Sequence, residues 1–235
     1  MRLFLTSYNK AGTHQIMPAL RIDRDVEDRS RNSMSSMPPY VNMANAINRE
    51  GVEKTCVALQ NFVSPGFGHL SYLPEYASAI QSQPTKVIFN VRDPRDIIVA
   101  EYYNMMKHQD GMSWLNFWIE EKKCHVADDD PISHLITFAL RWKKWLGWLD
   151  HDFVYKVKYE DLRLNGVETC EKMAEWLKPH LIDPTYVAAN LTPRKLNPTF
   201  RKGAVGDWKT EFSNEHKKKA EKVLGDIIEK LGYEI

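Results

Sequence analysis

Arg2-Leu3-Phe4-Leu5-Thr6 and the following Ser7-Tyr8-Asn9-Lys10-Ala11-Gly12-Thr13-His14-Gln15 decide the fold of this chain. The first five residues form a short, mostly apolar run, which predicts a buried strand at residues 2–6. The strand ends in a tight loop that contains a glycine, and a helix is predicted to begin there. A strand, a loop and a helix start in this order point backbone N–H groups at an anion. Lys10 adds a mobile positive charge and Thr13 a hydroxyl group, so the loop is a candidate phosphate site.

Further strands are predicted at residues 53–60, 86–91 and 153–158, each of them short and nearly apolar on both faces. Such strands are typical of a parallel sheet that is covered by helices. Helices are predicted at residues 12–21, 72–82, 94–108, 112–122, 132–149, 166–178 and 214–231. The sequence therefore predicts an α/β protein with a central, mostly parallel sheet flanked by helices. The 235 residues suffice for one such domain, which we expect to span residues 1–235.

Two more segments place cations where an anion could bind. The strand at 86–91 leads directly into Arg92-Asp93-Pro94-Arg95-Asp96, in which proline and an acidic first turn favour a helix start. This pattern fits an ordinary strand-to-helix turn as well as an anion site at Arg92. The segment Arg201-Lys202-Gly203-Ala204-Val205-Gly206-Asp207-Trp208-Lys209 sets two cations beside a glycine. A guanidinium, an ammonium and backbone amides suit a phosphate better than a sugar or an apolar ligand.

Together these segments resemble those of the sulfotransferases that use 3′-phosphoadenosine 5′-phosphosulfate (PAPS). The loop after the first strand is similar to the family's Tyr-Pro-Lys-Ser-Gly-Thr-Thr-Trp, which surrounds the 5′-phosphosulfate. The segment at Arg92 resembles Arg-(Asn/Asp)-Pro-(Arg/Lys)-Asp, and the segment at Arg201 resembles Arg-Lys-Gly…Gly-Asp-Trp-Lys; both bind the 3′-phosphate. Tyr159-Glu160-Asp161-Leu162 matches a fourth family motif. The resemblance spans residues 3–212 and implies a P-loop-like sulfotransferase fold.

The resemblance implies that residues from all of these segments bind PAPS and its product, adenosine 3′,5′-bisphosphate (PAP). The implied donor contacts are Tyr8, Asn9, Lys10, Ala11, Gly12, Thr13, His14, Gln15, Arg92, Ala100, Tyr159, Thr192, Phe200, Arg201, Lys202 and Gly203. Three of these positions depart from the family pattern. Asn9 replaces a proline, Gln15 stands where a tryptophan packs on the adenine, and Ala100 stands where a serine binds the 3′-phosphate.

Sulfuryl transfer resembles phosphoryl transfer, with in-line attack and negative charge that develops on the leaving phosphate oxygen. The resemblance implies that Lys10 stabilises this charge and that no metal ion is required. Histidine is the usual general base at neutral pH. His69 lies in Gly-His-Leu, which is similar to a form found in bacterial relatives, and it is the predicted base. His14, beside Lys10, is the alternative.

The predicted function is sulfuryl transfer from PAPS to a hydroxyl or amine of a small-molecule acceptor. One alternative is a P-loop-type kinase of nucleotides or small metabolites, which is disfavoured because Gly-Lys-Ser/Thr is absent. Another is a non-catalytic nucleotide-binding relative, which Gln15 and Ala100 keep open. The acceptor has no recognisable motif in the sequence.

Composition limits the partners and the location that we expect. A formal net charge of +1 excludes a protein that binds polyanions by bulk charge, so no nucleic-acid partner is expected. Three widely spaced cysteines indicate reduced thiols, and they are Cys56, Cys124 and Cys170. No signal peptide and no run of membrane-spanning length is evident, which predicts a cytoplasmic protein without a membrane partner. The dimer motif of many cytosolic members, which would begin at Lys209, is not matched, so the oligomeric state stays open.

Overall fold

The computed structural model describes most of the chain, namely residues 1–17, 20, 43–62, 64–107, 130–177 and 202–235. At residue 14 and residues 43–50 it describes the backbone alone. The predicted helix at 112–122 and the sites Thr192, Phe200 and Arg201 lie outside the described residues. The chain divides into two compact units, Met1–Val91 with Lys144–Pro193 and Arg92–Lys143 with Arg194–Ile235.

The first unit contains a four-stranded parallel sheet. Its strands are β1 (Arg2–Ser7), β2 (Gly66–Gly68), β3 (Thr85–Val91) and β4 (Val154–Lys158). They are ordered β2-β1-β3-β4. β1 pairs with β3 along its whole length, from Arg2 opposite Thr85 to Ser7 opposite Asn90. The predicted class, an α/β fold with a central parallel sheet, is confirmed.

The described helices follow and alternate with the strands. In chain order they are α1 (Thr13–Ile16), α2 (Met43–Asn61), α3 (Pro74–Ile80), α4 (Pro94–Lys107), α5 (Pro131–Phe138), the 3-10 helix Ala139–Asp150, α6 (Tyr159–Leu164), α7 (Gly166–Leu177), α8 (Trp208–Glu211) and α9 (Asn214–Leu231). Most of the predicted helices are found within a few residues of their expected bounds. The predicted helix at 132–149 differs, because it begins as α5 and continues as the 3-10 helix.

The core of the first unit lies against the sheet. One face of β1 contributes Leu3 and Leu5, which pack in a cluster with Ile16 of α1 and with Met173 of α7. Because successive side chains of a strand point to opposite faces, Phe4 lies on the other face. There its ring meets that of Phe62 edge to face, with centroids 5.4 Å apart. Both faces of β1 are therefore covered, as its apolar composition predicted, whereas the edge strand β4 is only partly buried and its Lys156 is exposed.

The predicted strand at 53–60 is wrong, because these residues belong to helix α2. Thr55 and Leu59 are buried at the i, i+4 spacing of one helix face, whereas Val57 is 48% exposed. The second strand of the sheet is instead Gly66–Gly68, which has two glycines and little intrinsic strand preference. Its pairing with β1, Phe4 opposite Gly66 and Thr6 opposite Gly68, provides the structure that its composition does not favour.

The second unit is built on α9. Its buried residues recur every three or four positions and form an apolar stripe, consisting of Ala220, Leu224, Ile227, Ile228 and Leu231. Ser213 and His216 cap the helix reciprocally, and Gly232 ends it in the left-handed conformation. His216 Nε2 also lies 2.8 Å from Oδ1 of Asp130, the N-cap of α5, and so joins the starts of two helices. That residues 1–235 form a single domain stays a prediction.

Candidate functional site

The register of the sheet brings the carboxyl ends of neighbouring strands together in the first unit. Thr6 of β1 lies opposite Gly68 of β2, and Ser7 lies opposite Asn90 of β3. His69 follows Gly68 directly, so it enters the same edge of the sheet as the loop after β1. Ligands of open α/β sheets bind at the carboxyl ends of the strands. The predicted loop and the predicted base are thus neighbours, although they are far apart in sequence.

The loop after β1 has a specific backbone conformation. Lys10, with φ 62°, is the one non-glycine among the described residues that has a positive φ, and Gly12 has φ 84°. A left-handed conformation costs about 1–2 kcal/mol at a residue with a Cβ atom, and such costs concentrate at functional sites. The buried Asn90 stabilises the loop, because its Nδ2 donates to the carbonyl oxygen of Ala11 over 3.0 Å. The structure therefore holds Lys10 on a fixed backbone.

Tyr159 packs directly beneath this loop. It is the first residue of α6, after β4, and it is 4% exposed. A Cβ atom added at Gly12 would overlap its ring. The sequence predicted that Tyr159 contacts the sulfuryl donor, PAPS. In this structure the ring of Tyr159 packs against the loop after β1, and its contact with a nucleotide stays a prediction.

We expect Gly12→Ala to lower the free energy of unfolding by about 2–5 kcal/mol, since backbone strain and overlap with Tyr159 both contribute. Gly206→Ala is the control, because Gly206 has a similar φ of 79° and its added Cβ would meet only the side chain of Lys209, at an ordinary contact distance of 3.8 Å. Strain alone should cost about 1–2 kcal/mol there. Urea unfolding of both variants measures the difference, and equal losses would show that Tyr159 does not restrict the loop.

His69 is partly buried and is held by Ser7. Its Nδ1 lies 3.0 Å from the Ser7 carbonyl oxygen and 3.2 Å from Ser7 Oγ, and its ring meets Phe67 edge to face. Ser7 Oγ in turn lies 2.5 Å from the hydroxyl oxygen of Thr13, and both of these residues are buried. The structure thus links the predicted base to the predicted phosphate loop. The side chain of His14, the alternative base, lies outside the described residues.

The remaining predicted residues of the loop differ in exposure. Tyr8 is fully buried between the rings of Phe89 and Trp145, and burial raises the pKa of its hydroxyl. Asn9 is partly exposed. Gln15 is partly buried, and its Nε2 atom is buried without a hydrogen-bond partner among the described residues.

In the second unit, Arg92 and Asp96 bind the backbone of residues 204–208. This segment directly follows Lys202 and Gly203, two of the predicted contacts of the 3′-phosphate. Nη2 of Arg92 donates to the carbonyl oxygen of Ala204 over 2.9 Å. The carboxylate of Asp96 accepts from the backbone N–H groups of Gly206, over 2.8 Å, and of Trp208, over 3.1 Å. Burial raises the pKa of Asp96, although the two N–H donors and Arg92 oppose this effect.

Asp96→Asn should loosen this segment, because one of the two backbone N–H groups would then face an amide NH2 group instead of an oxygen. We expect hydrogen exchange at Gly206 or Trp208 to become roughly 10–100-fold faster. Asp226→Asn is the control, since that side chain is 85% exposed and pairs with Lys143 at the surface. Unchanged exchange at both amides in Asp96→Asn would contradict the role of Asp96 as the anchor.

The other predicted residues of the second unit lie on this segment and on α4. The side chain of Lys202 is 58% exposed and lies 4.0 Å from Glu211, and Gly203 has φ 62°. Ala100 is partly buried on α4. Their roles toward a 3′-phosphate stay predictions, as does that of Arg92.

Sequence reasoning missed Ser7 and Asn90 and assigned Asp96 only a helix-start role. A signal for Asn90 was present, since it is an amide in an otherwise apolar part of β3. The roles of Ser7 and Asp96 become visible only in the tertiary structure, through their hydrogen bonds.

Among the described residues, no cluster of three or more His, Cys, Asp or Glu side chains could hold a metal ion. No helix in that part of the chain is both long and apolar enough to cross a membrane.

A parallel sheet with a lysine- and glycine-containing loop after its first strand defines an α/β protein of P-loop-like architecture. Residues 1–232 match the sulfotransferase domain family, and the chain belongs to that family.

Similar proteins agree with this membership. The chain is 29% identical over 155 residues to sulfotransferase 6B1 of Danio rerio, which covers 59% of this chain and 50% of that protein. It is 25% identical over 182 residues to sulfotransferase 2A1 of Rattus norvegicus, with 66% and 61% covered. The chain thus spans half to about three-fifths of the length of these relatives. Mouse sulfotransferase SULT7A1 complexed with PAP has a similar fold, with TM-score 0.60, 17% identity and coverage of 97% and 83%.

Proposed function

We propose that this chain transfers a sulfuryl group from PAPS to a hydroxyl or amine of a small-molecule acceptor. The main supporting observation is the arrangement in the first unit, where Ser7 contacts both His69 and Thr13 beside the left-handed Lys10. A base and an anion loop at one edge of a parallel sheet suit group transfer from an anionic donor. Membership of the sulfotransferase domain family supports sulfate as the transferred group.

In this proposal Lys10 places its ammonium group toward the leaving phosphate oxygen, and Thr13 supplies a hydroxyl donor. His69 takes the proton of the acceptor as the sulfuryl group leaves the donor. A sulfuryl group has less negative charge than a phosphoryl group, so we expect lysine and backbone amides to suffice without a metal ion. Turnover should therefore persist when EDTA removes divalent cations.

The 3′-phosphate of the donor is proposed to bind Arg92, Arg201, Lys202 and the amide of Gly203. The bond from Arg92 to Ala204, the residue after Gly203, supports this set, because it keeps a guanidinium beside the glycine. Two charge-assisted contacts to a phosphate would then come from distant parts of the sequence. The cytoplasmic location and the lack of nucleic-acid and membrane partners stay predictions.

Ligand-dependent thermal stability tests the donor. PAP at about 100 times its dissociation constant should stabilise the chain by about 2.7 kcal/mol, whereas ATP with Mg²⁺ should have a much smaller effect. Stabilisation by ATP with Mg²⁺ alone would favour the kinase alternative and overturn the proposal.

Transfer itself is tested with ³⁵S-labelled PAPS and a panel of phenols, alcohols and amines. We expect label to move to at least one class of acceptor. Binding of PAP without transfer to any member of the panel would favour the non-catalytic relative instead.

A further inference from the structure

The contacts of Ser7 determine where protons lie in the first unit's site. The Ser7 carbonyl oxygen lies 3.0 Å from Nδ1 of His69, and a carbonyl oxygen can only accept a hydrogen bond. Nδ1 must therefore bear the proton when the ring is neutral. The lone pair of the neutral ring then lies on Nε2. The opposite tautomer would bring two lone pairs together at this distance.

The hydroxyl of Ser7 lies between His69 and Thr13 and contacts both side chains. At 3.2 Å from Nδ1, its oxygen is a second acceptor for the Nδ1 proton. Its own proton then has the Thr13 hydroxyl oxygen, at 2.5 Å, as its acceptor. The two hydroxyls share one hydrogen bond, so the proton of the other hydroxyl needs a different acceptor; an anion bound in the loop after β1 would supply one for Thr13, and Ser7 would then donate to Thr13. The proton of Thr13 is consequently directed away from Ser7.

We propose that Ser7 is a positioning residue that orders these protons. Its carbonyl holds His69 as the Nδ1–H tautomer, and its hydroxyl leaves the Thr13 O–H as a donor for an anion in the loop after β1. The proposal rests on the proposed function, since Nε2 is then the nitrogen that would take the acceptor's proton. The tautomer, however, is a property of the protein alone, and it can be measured without donor or acceptor.

NMR of the whole chain labelled with ¹⁵N-histidine tests the tautomer. Long-range ¹H–¹⁵N correlations at about pH 8, above the usual histidine pKa of ~6.5, distinguish a protonated Nδ1 from a protonated Nε2. The signal that disappears in His69→Gln identifies His69 among the eight histidines. We expect Nδ1–H in the wild type and in Ser7→Ala, which keeps the carbonyl. A protonated Nε2, or a mixture of both forms, would overturn the proposal.

A double-mutant cycle tests the hydroxyl of Ser7, with PAP as the probe and calorimetry as the measurement. Thr13→Val and Ser7→Ala should each weaken PAP binding by about three- to tenfold, whereas Ser7→Thr should retain affinity. In the Thr13→Val background, Ser7→Ala should have almost no further effect. Thr55→Val, which removes a buried hydroxyl that bonds to Gly51 in α2, is the matched control and should bind PAP normally.

Additive losses in the cycle would show that Ser7 does not act through Thr13 and would overturn this part of the proposal. If wild-type protein does not bind PAP at all, the proposed function fails, and the tautomer measured by NMR still decides the role of the Ser7 carbonyl. If Ser7→Ala does not fold, Ser7→Thr and the wild-type spectrum still provide the deciding results.

Discussion

His69→Ala is expected to lower turnover by about 10²–10⁴-fold while PAP binds with unchanged affinity. The reason is that the imidazole would accept the acceptor's proton during transfer but is not proposed to contact the PAP part of the donor. The pH–rate profile should also lose a limb near the histidine pKa of about 6–7. Steady-state rates with labelled PAPS, measured from about pH 5 to pH 9, test both expectations.

His69→Asn distinguishes the loss of the basic nitrogen from the loss of the hydrogen bond to the Ser7 carbonyl oxygen. Asparagine can place an N–H donor toward the Ser7 carbonyl, where His69 Nδ1 now lies at 3.0 Å, but it has no basic nitrogen. We expect it to lose turnover as severely as alanine while it retains more stability. If His69→Ala keeps its rate and its pH limb while His14→Ala loses both, then His14 is the base and the proposal for His69 is wrong.

Lys10→Met should reduce turnover by roughly a hundredfold or more, because one preorganised positive charge would no longer stabilise the leaving phosphate oxygen. Methionine removes the charge but keeps an unbranched side chain at the left-handed position, where φ is 62°. The backbone cost is therefore nearly the same in both proteins. Single-turnover rates with labelled PAPS give the effect on the transfer step.

Lys143→Met is the control for the loss of a lysine, since the side chain of Lys143 is 64% exposed on the second unit. It should retain full turnover and stability. A folded Lys10→Met protein with near-normal transfer would remove Lys10 from the mechanism. If Lys10→Met weakens PAP binding by the same factor as it slows sulfuryl transfer, then Lys10 stabilises the bound nucleotide and the transition state equally.

The sequence by itself predicted three of the four strands. Arg2–Ser7 and Thr85–Val91 are mostly apolar and are buried on both faces, whereas the edge strand Val154–Lys158 is only partly buried and is marked by its valines and tyrosine. It also predicted the loop after β1, where a lysine and a glycine follow a strand, and the family to which the chain belongs. These features depend on residues that are neighbours in sequence, so local composition and spacing suffice to identify them.

Tertiary structure alone decided the second strand, since Gly66–Gly68 becomes a strand by pairing with β1, whereas residues 53–60 bury one helical face. It also decided the contact between Ser7 and His69, 62 residues apart, and the one between Asp96 and Gly206, 110 residues apart. Side chains at such separations meet only after the sheet register and the helix packing are set. The sequence therefore determined which chemical groups are present, and the fold determined which of them share a hydrogen bond.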